Sequence, residues 1–396
     1  MYDAHRFLIT SVDLPVVAQV MEASPEKPYL GLVLQLDQHA IAPLMVDSNL
    51  PSPRAPQASR GMAVGQVTMP LLNAFQRLLD LGAASLADKY EGCMVGLAVG
   101  DALGFPTEFM RLSGIRAKWG REGVTDFEAC GGHPPGTYSD DTQMSLAVAR
   151  ALLQAGSRSL DELLAAVGAE FVAGADSPDN NRAPGGTCMH ACHLLASGVP
   201  WREAGRNDSK GCGTAMRSAP VGLYCHGDWQ RLVEVASAVS LITHGHPCAT
   251  AGSVATAARM SMALNGMEPR ERVESLWDLV SSISSEFVSV VRRVPGLLDQ
   301  EPDRARVELG EGWVAEEAVA PALYCFLRTP DGFSSTVLTG ANSEGDSDSI
   351  ACLAGAISGA YNGRETLPAR WRQQVEDAPD VRAVAEELSS ASTFLA

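Results

Sequence analysis

The 396-residue sequence predicts a mainly α fold that carries a small β-containing extension at its N-terminus. Three observations lead there. From about Ser85 onward alanine, leucine and glycine predominate at helical spacing, and alternating strand runs are absent. Before that point the pattern differs: Leu30, Leu32, Leu34 and Leu36 alternate with Gly31, Val33 and Gln35, one apolar face of period two. Length is the third, because a single core rarely grows past about 250–300 residues. The expected division is an interaction arm over 1–84 and one compact helical domain over 85–396.

In the arm, Phe7–Ser11, Val16–Val20 and Tyr29–Asp37 are β-rich runs punctuated by Pro15 and Pro28. Asn49–Arg60 reads as an irregular exposed loop, and a short amphipathic helix follows Pro70 with Leu71, Phe75, Leu78 and Leu79 on one face. In the larger part, Asp161–Phe171, Trp229–Ile242 and Glu271–Val291 have helical spacing, and no strong internal repeat appears.

Composition narrows the function. An apolar share of 46% and a charged share of 19% suit a folded chain. Thirty Lys and Arg against 47 Asp and Glu give a net charge of −17, which weighs against nucleic acid and anionic membranes, both of which need a basic face. No apolar run reaches the roughly 18–20 residues of a membrane helix. The nine cysteines are odd in number without a Cys-x-x-Cys, and Met1–Arg6 opens no signal peptide, so free thiols in a reducing cytoplasm are expected.

Four segments carry chemistry. Gly92, Gly96, Gly100 and Gly104 recur every fourth residue, on one helix face. Each costs about 1 kcal/mol relative to alanine, so another backbone must come close. That helix should stop at Pro106 and leave Glu108 on a loop. Asp101 and the flanking Lys89 and Glu91 argue against a membrane dimerisation stripe. In the second segment, Ser139, Asp140, Asp141 and Thr142 precede a helix expected over Met144–Leu153. One carboxylate there could cap the helix; two adjacent ones call for solvation or a cation. The third, Gly345–Ser349, alternates carboxylates and hydroxyls before a helix with Gly355, Gly359 and Gly363. If the two glycine-striped helices pack closely, Asp140, Asp141, Asp346 and Asp348 converge with Ser139 and Ser349. That is a hard oxygen set suited to Mg²⁺ or Mn²⁺, with room for two ions. In the fourth, the small residues of Asn207–Pro220, with Ala183–Thr187 upstream, let backbone N–H groups approach an anion, and Arg217 could pair with that anion or with a carboxylate.

The ordered set resembles the ADP-ribosylglycohydrolase family over about Tyr90–Gly363. The family's G-x-x-x-G-x-A-x-G-D-A-x-G-x-P-x-E matches Gly92–Glu108, its T-D-D-T matches Ser139–Thr142, and its G-D-T-D-T matches Gly345–Ser349. Its G-N-G-x-A-M-R matches Gly211–Arg217, and Gly312–Cys325 is also similar. The resemblance implies a compact orthogonal all-α bundle and a two-metal centre of Mg²⁺, with Mn²⁺ as the other candidate, held by Ser139, Asp140, Asp141, Asp346, Asp348 and Ser349. It implies that Glu108, Asp141 and Asp346 are catalytic, and that Gly185, Gly186, Ser209, Gly211, Gly213 and His244 bind the ADP-ribose. Serine stands for threonine in both acid clusters and Cys212 for asparagine in the binding loop, which touches affinity before chemistry. Arg6–Pro15, Glu22–Leu30 and Arg60–Val64 resemble the second half of the cupin-like N-terminal domain of AraC-type regulators. Half a β-barrel leaves open strand edges.

The implied activity is metal-dependent removal of ADP-ribose from a modified protein side chain, arginine before serine, with attack at ribose C1″ and oxocarbenium-like charge. A different expectation is an immunity protein that sequesters an ADP-ribosyltransferase toxin through strand addition by its arm. A ligand sensor ranks last, since half a barrel encloses no pocket. Cys188, His190, Cys192 and His193 lack a second ligand pair for zinc and read first as buried thiols and their neighbours. His244–Cys248 lacks the glutamate and Pro-Cys-x-x-Cys of a deaminase, and no Gly-x-Ser-x-Gly elbow anchors an esterase triad.

Overall fold

The computed structural model describes residues 6–10, 62–66, 84–269 and 273–393. Contacts divide the chain into two units, Met1–Gly82 and Ala83–Ala396. In the first, β1 (Arg6–Thr10) pairs antiparallel with β2 (Met62–Gln66), Arg6 opposite Gln66 and Thr10 opposite Met62. β1 falls on the first expected β-run. β2 was not anticipated, because five residues containing Gly65 make a weak strand signal. The expected runs at Val16–Val20 and Tyr29–Asp37, the Asn49–Arg60 loop and the helix after Pro70 lie outside the described residues.

The second unit is built of helices and connecting loops, with no strand beyond isolated bridges among its described residues. Its principal helices are α1 (Leu86–Gly104), α2 (Asp140–Ala155), α3 (Leu160–Ala175), α4 (Gly186–Ala196), α5 (Trp229–Leu241) and α6 (Pro247–Leu264). They continue with α7 (Ala315–Arg328), α8 (Phe333–Ala341), α9 (Ser347–Asn362) and α10 (Ala378–Thr393), with shorter pieces between. Local signals set the starts. Ser85 and Asp88 form a capping box on α1, and Ser159 and Glu162 form another on α3. The Asp228 carboxylate caps α5 by accepting from the Arg231 N–H at 2.9 Å.

The centre of the unit is the antiparallel pair α1 and α9. Both are buried on every side, α1 from Tyr90 to Gly104 and α9 from Ser347 to Ala360. The glycines of α1 face the backbone of α9 in register. A Cβ on Gly96 would lie 2.5 Å from the Gly355 carbonyl oxygen, one on Gly100 would lie 2.0 Å from that of Ala351, and one on Gly104 would lie 2.5 Å from Asp348 Cα. From the other side, a Cβ on Gly359 would meet the Gly92 carbonyl oxygen at 1.8 Å. Such spacing excludes any side chain and brings the C-terminal end of α1 against the N-terminal end of α9. α8 and α10 pack around this pair, and α7 lies against α9.

α1 ends at Gly104, a single 3₁₀ turn over Phe105–Thr107 contains Pro106, and Glu108 leaves it in an extended conformation, as the sequence led us to expect. The Glu271–Val291 segment departs from expectation. It is two helices, Val273–Ser281 and Ser285–Val291. The Ser284 hydroxyl accepts from the Phe287 N–H at 3.2 Å and starts the second helix. Serines at 281, 282 and 284 offer the backbone local partners that compete with a continuous helix.

Adding one methyl at the α1–α9 contact should be severe. Gly359→Ala should lower stability by about 1–3 kcal/mol or more, the scale of overpacking, read as a fall in thermal midpoint. Gly174→Ala on α3, where a Cβ meets open space, should leave the midpoint unchanged or raised.

Candidate active site

Because α1 and α9 run antiparallel, the loop after α1 and the turn before α9 share one end of the bundle. The start of α2 is delivered to the same place by Asp101, a fully buried residue on α1. Its carboxylate accepts from the Ser139 N–H at 2.8 Å, the Thr142 N–H at 2.9 Å and the Thr142 hydroxyl at 2.5 Å. Three donors satisfy the buried carboxylate, and α2 gains an acid at its positive end. Ser139 is the N-cap of α2, its hydroxyl accepting from the Asp141 N–H at 3.3 Å. Asp140 and Asp141 therefore occupy the first turn of α2, which starts four residues before the expected Met144.

The six expected oxygen donors meet. Ser139, Asp140, Asp141, Asp346, Asp348 and Ser349 are all buried. One carboxylate oxygen from each of Glu108, Asp346 and Asp348 lies within 4.8 Å of the others. Asp141 Oδ2 and Asp348 Oδ1 have no hydrogen-bond partner. Two buried carboxylate oxygens without donors, among further carboxylates, are what a divalent cation would satisfy and what an apolar core would not tolerate. The hard oxygen donors fit Mg²⁺ or Mn²⁺.

The electrostatics point the same way. Burial and the neighbouring Asp348 push Asp101 up to about 7 and Asp140 up to about 8. Burial, then Asp348 and Asp346, push Glu108 up to about 11. Asp141 and Asp346 rise well above the ordinary carboxylate range from burial and the charge on Asp348. Like charges crowded out of water hold protons unless a cation replaces them.

The small-residue loops adjoin the acids at two points. The Gly185 N–H donates to Asp140 Oδ2 at 3.2 Å. The Cys212 thiol donates to Asp346 Oδ2 at 2.9 Å. Thr187 and Ser209 hydroxyls lie 3.1 Å apart, linking the 183–187 loop to the 207–213 loop. Gly186 begins α4, behind the Gly185 cap. His244 packs against Gly211 and Gly213: a Cβ on Gly211 would sit 2.8 Å from its Nε2, and one on Gly213 would sit 3.2 Å from its Cε1. A small cleft beside Asp140 is walled by Met144, Phe171, Pro184 and Cys188. All fifteen role assignments expected from the sequence thus fall on residues of two adjoining surfaces, the acid cluster and these loops.

Arg217 corrects an expectation. It is fully buried and forms no ion pair with a carboxylate among the described residues. Its guanidinium donates to the Val239 carbonyl at 3.1 Å and the Thr243 hydroxyl at 2.6 Å, lies against Cys188 Sγ at 3.6 Å and stacks over Phe171. One carbonyl, one hydroxyl, sulfur atoms and a ring surround the charge, and its buried Nε keeps no hydrogen-bond partner. The consequence reaches the loops. Thr243 Oγ1 accepts from Arg217 and lies 2.7 Å from His244 Nδ1, which anchors the imidazole through that nitrogen and leaves Nε2 toward Gly211. Burial, Arg217 and Arg206 hold His244 down to about 3. The thiols of Cys188 and Cys192 are buried, as read from the sequence, and none of the nine cysteines is paired.

Sequence reasoning missed Asp101 as a support of the site. The available signal was an aspartate inside an otherwise apolar helix, which must find donors when buried. It also missed Arg182, which donates to the Tyr138 carbonyl at 3.2 Å and forms a two-pronged ion pair with Glu376, while the Arg182 carbonyl accepts from the Asp140 N–H.

A family model described as ADP-ribosylglycohydrolase matches residues 82–394, and one described as AraC-type transcriptional regulator N-terminus matches residues 1–89. The chain is similar to an uncharacterized protein of Archaeoglobus fulgidus, 29% identical over 77% of this chain and 96% of that one. It is similar to the ADP-ribosylhydrolase ARH3 of Bos taurus, 27% identical over 78% of this chain and 94% of that one. It is similar to the ADP-ribosylarginine hydrolase Tri1 of Serratia proteamaculans, 24% identical over 76% of this chain and 79% of that one. Among solved structures, a chain titled ADP-ribosylglycohydrolase-related protein complex matches with a TM-score of 0.61 and 28% identity, over 78% of this chain and 99% of that one. No described helix is long and apolar enough to cross a membrane.

His244 gives the site a pH signature. The unfolded chain takes a proton on this histidine below its ordinary value of 6.5, and the folded chain resists it down to about 3. Its contribution therefore lowers stability as pH falls from 6.5 toward 3. His244→Gln should flatten the wild-type fall in thermal midpoint over that range, and parallel curves would contradict the assignment.

Proposed function

The chain belongs to the ADP-ribosylglycohydrolase family, and from that premise we propose that it is a metal-dependent hydrolase that removes ADP-ribose from arginine side chains of modified proteins. The bond cleaved would be the N-glycosidic bond at ribose C1″. The observation that carries the reading is the convergence of Asp140, Asp141, Asp346 and Asp348, with two orphaned carboxylate oxygens, beside loops suited to phosphates. Arginine is favoured over serine because relatives named ADP-ribosylarginine hydrolase stand beside those named ARH3.

Ser139, Asp140, Asp141, Asp346, Asp348 and Ser349 are the residues that would hold the cations, two Mg²⁺ or Mn²⁺. Bound there, divalent ions supply Lewis acidity toward ribose hydroxyls and lower the pKa of water. The chain supplies the rest. Backbone N–H groups of Gly186, Gly211 and Gly213, with the Ser209 hydroxyl and His244 Nε2, would bind the phosphates and ribose of ADP-ribose, and Gly185, whose N–H donates to Asp140, would shape the loop around them. A neutral His244 would hydrogen-bond there without adding a buried charge. Asp141 and Asp346, fixed at the ends of α2 and α9, would stabilise positive charge developing at C1″ without moving. Glu108 is the one acid of the cluster carried by a loop, which suits it to proton handling at the scissile bond. Water adds at C1″, the C–N bond breaks, and the departing guanidine nitrogen takes a proton. The ladder described in the N-terminal arm gives no support to toxin sequestration, and the proposal rests on hydrolysis alone.

Release of ADP-ribose from an arginine-ADP-ribosylated protein should be seen with Mg²⁺ or Mn²⁺ and abolished by EDTA. Asp140→Asn and Asp348→Asn should each lower kcat/KM by about 100-fold or more, the scale of removing a fixed electrostatic stabiliser. Release unaffected by EDTA would refute the metal. Independently of turnover, Mg²⁺ or Mn²⁺ should raise the thermal midpoint of the wild type and not of Asp348→Asn.

A further inference from the structure

Phe109 and Trp313 have no part in the reading above, yet both are exposed at the edge of the acid cluster, Phe109 at 67% and Trp313 at 39%. Their rings stack, with centroids 5.3 Å apart and planes 25° from parallel. Phe109 follows Glu108 directly and adopts a φ of +63°, a left-handed conformation that a bulky side chain rarely takes. Two backbone hydrogen bonds hold it there: its N–H donates to the Gly345 carbonyl at 2.9 Å, and the Gly345 N–H donates to the Met110 carbonyl at 3.3 Å. The loop bearing Glu108 is thereby fastened to the turn that leads into Asp346. The carbonyl of Trp313 accepts from the Cys212 N–H at 3.3 Å, and its indole N–H donates to Glu311 at 3.4 Å. A strained backbone that keeps a phenyl ring in water is not explained by packing, and strain of this kind gathers at functional sites.

The rim around the pair is acidic. Glu311 and Glu344 flank it, and the chain's own Arg111 guanidinium lies between them, 2.5 Å from Glu311 and 3.9 Å from Glu344. This rim therefore already accommodates a guanidinium. The acid cluster has two edges. Asp140 and the Gly185 loop form one; Glu108 and Asp346, with Phe109, Trp313 and the Cys212 end of the second loop, form the other. If the Gly185 side takes the phosphates, the aromatic pair is left for the group on the far side of C1″.

We infer that Phe109 and Trp313 form a platform for the leaving group and select a planar cation, the guanidinium of an ADP-ribosylated arginine, over a serine hydroxyl. This inference rests on the hydrolase reading. A guanidinium offers a flat, weakly hydrated face and a charge, both of which an aromatic surface attracts. A serine side chain offers neither. The pair acts on binding of the leaving group and leaves the ADP-ribose moiety untouched.

The test compares wild type with Phe109→Leu, Phe109→Tyr and Trp313→Leu, each checked for an unchanged thermal midpoint within a few degrees. Affinities are measured for uncleaved arginine-linked and serine-linked ADP-ribosyl peptides in a Glu108→Gln background, and for free ADP-ribose. Rates on both conjugates are measured with Glu108 intact. Phe109→Leu and Trp313→Leu should weaken the arginine conjugate about 10-fold in affinity and kcat/KM, the scale of a partly desolvated cation–π contact. The serine conjugate and free ADP-ribose should be unchanged, and Phe109→Tyr should keep the wild-type preference. An equal fall for all three ligands, or no fall for the arginine conjugate, overturns the platform. If the wild type cleaves neither conjugate, the hydrolase reading fails, and the affinities for uncleaved peptides still decide the platform by themselves.

Discussion

The backbone-to-backbone contact of α1 with α9 is the constraint on which the rest of this molecule depends. Four glycines on α1 and two on α9 remove every side chain from the line of contact, so carbonyl oxygens and Cα atoms meet directly. Glycine in a helix is unfavourable by about 1 kcal/mol per residue relative to alanine, and this pair accepts that repeatedly. What the close approach achieves is positional. The contact runs from Gly92 opposite Gly359 to Gly104 opposite Asp348, and its last step sets Glu108 beside Asp346 and Asp348. A shift of one helical turn along the contact, about 5.4 Å, would separate these acids by more than a hydrogen bond or a metal–oxygen bond can span. The glycines therefore act as a register device as well as a packing device.

The same contact bears an electrostatic load. Asp101, Asp140, Asp141, Asp346 and Asp348 are buried within one end of the bundle, and burial pushes each toward protonation, with the charge of Asp348 adding to the effect on the other four. No lysine or arginine is ion-paired with any of them among the described residues. Helix starts supply part of the compensation: Asp140, Asp141 and Asp348 stand in the first turns of α2 and α9, where the backbone dipole is positive. Asp101 is compensated by the three donors of Ser139 and Thr142. Asp141 and Asp348 keep oxygens with nothing to accept from. The scaffold solves the charge problem for the supporting acid and leaves it unsolved for the acids that face the site, the pattern a cation-binding centre requires.

Much of this was legible in the sequence, for a physical reason. Glycine at every fourth position suits close backbone approach in a buried helix, and acids next to hydroxyls at a helix start have few uses, so Gly92–Glu108, Ser139–Thr142 and Gly345–Ser349 announced that they would meet. The end of α1 before Pro106 was equally readable, because proline cannot continue a helix. Other features depend on partners that one-dimensional reading does not supply. Arg217 looked like an anion ligand until its neighbours proved to be the Val239 carbonyl, Thr243 and Cys188. Asp101 looked like an interruption until Ser139 and Thr142 arrived from 38 and 41 residues away. The break between Val273–Ser281 and Ser285–Val291 was hidden because apolar spacing continues across it while the serines decide the backbone locally. The comparisons confirm the family that these motifs carry, and the N-terminal resemblance as well.

Arg217 also shows how a residue outside the chemistry can set its terms. It donates to Thr243, whose hydroxyl lies 2.7 Å from His244 Nδ1 and anchors the ring on that side. The positive charge behind the ring, with burial, keeps the imidazole neutral well below its ordinary value. A protonated imidazole there would lie beside the Arg217 guanidinium out of water, where like charges repel. The ring is left neutral and held against Gly211 and Gly213. A buried arginine with no carboxylate partner thus decides the charge of the histidine that lines the 207–213 loop.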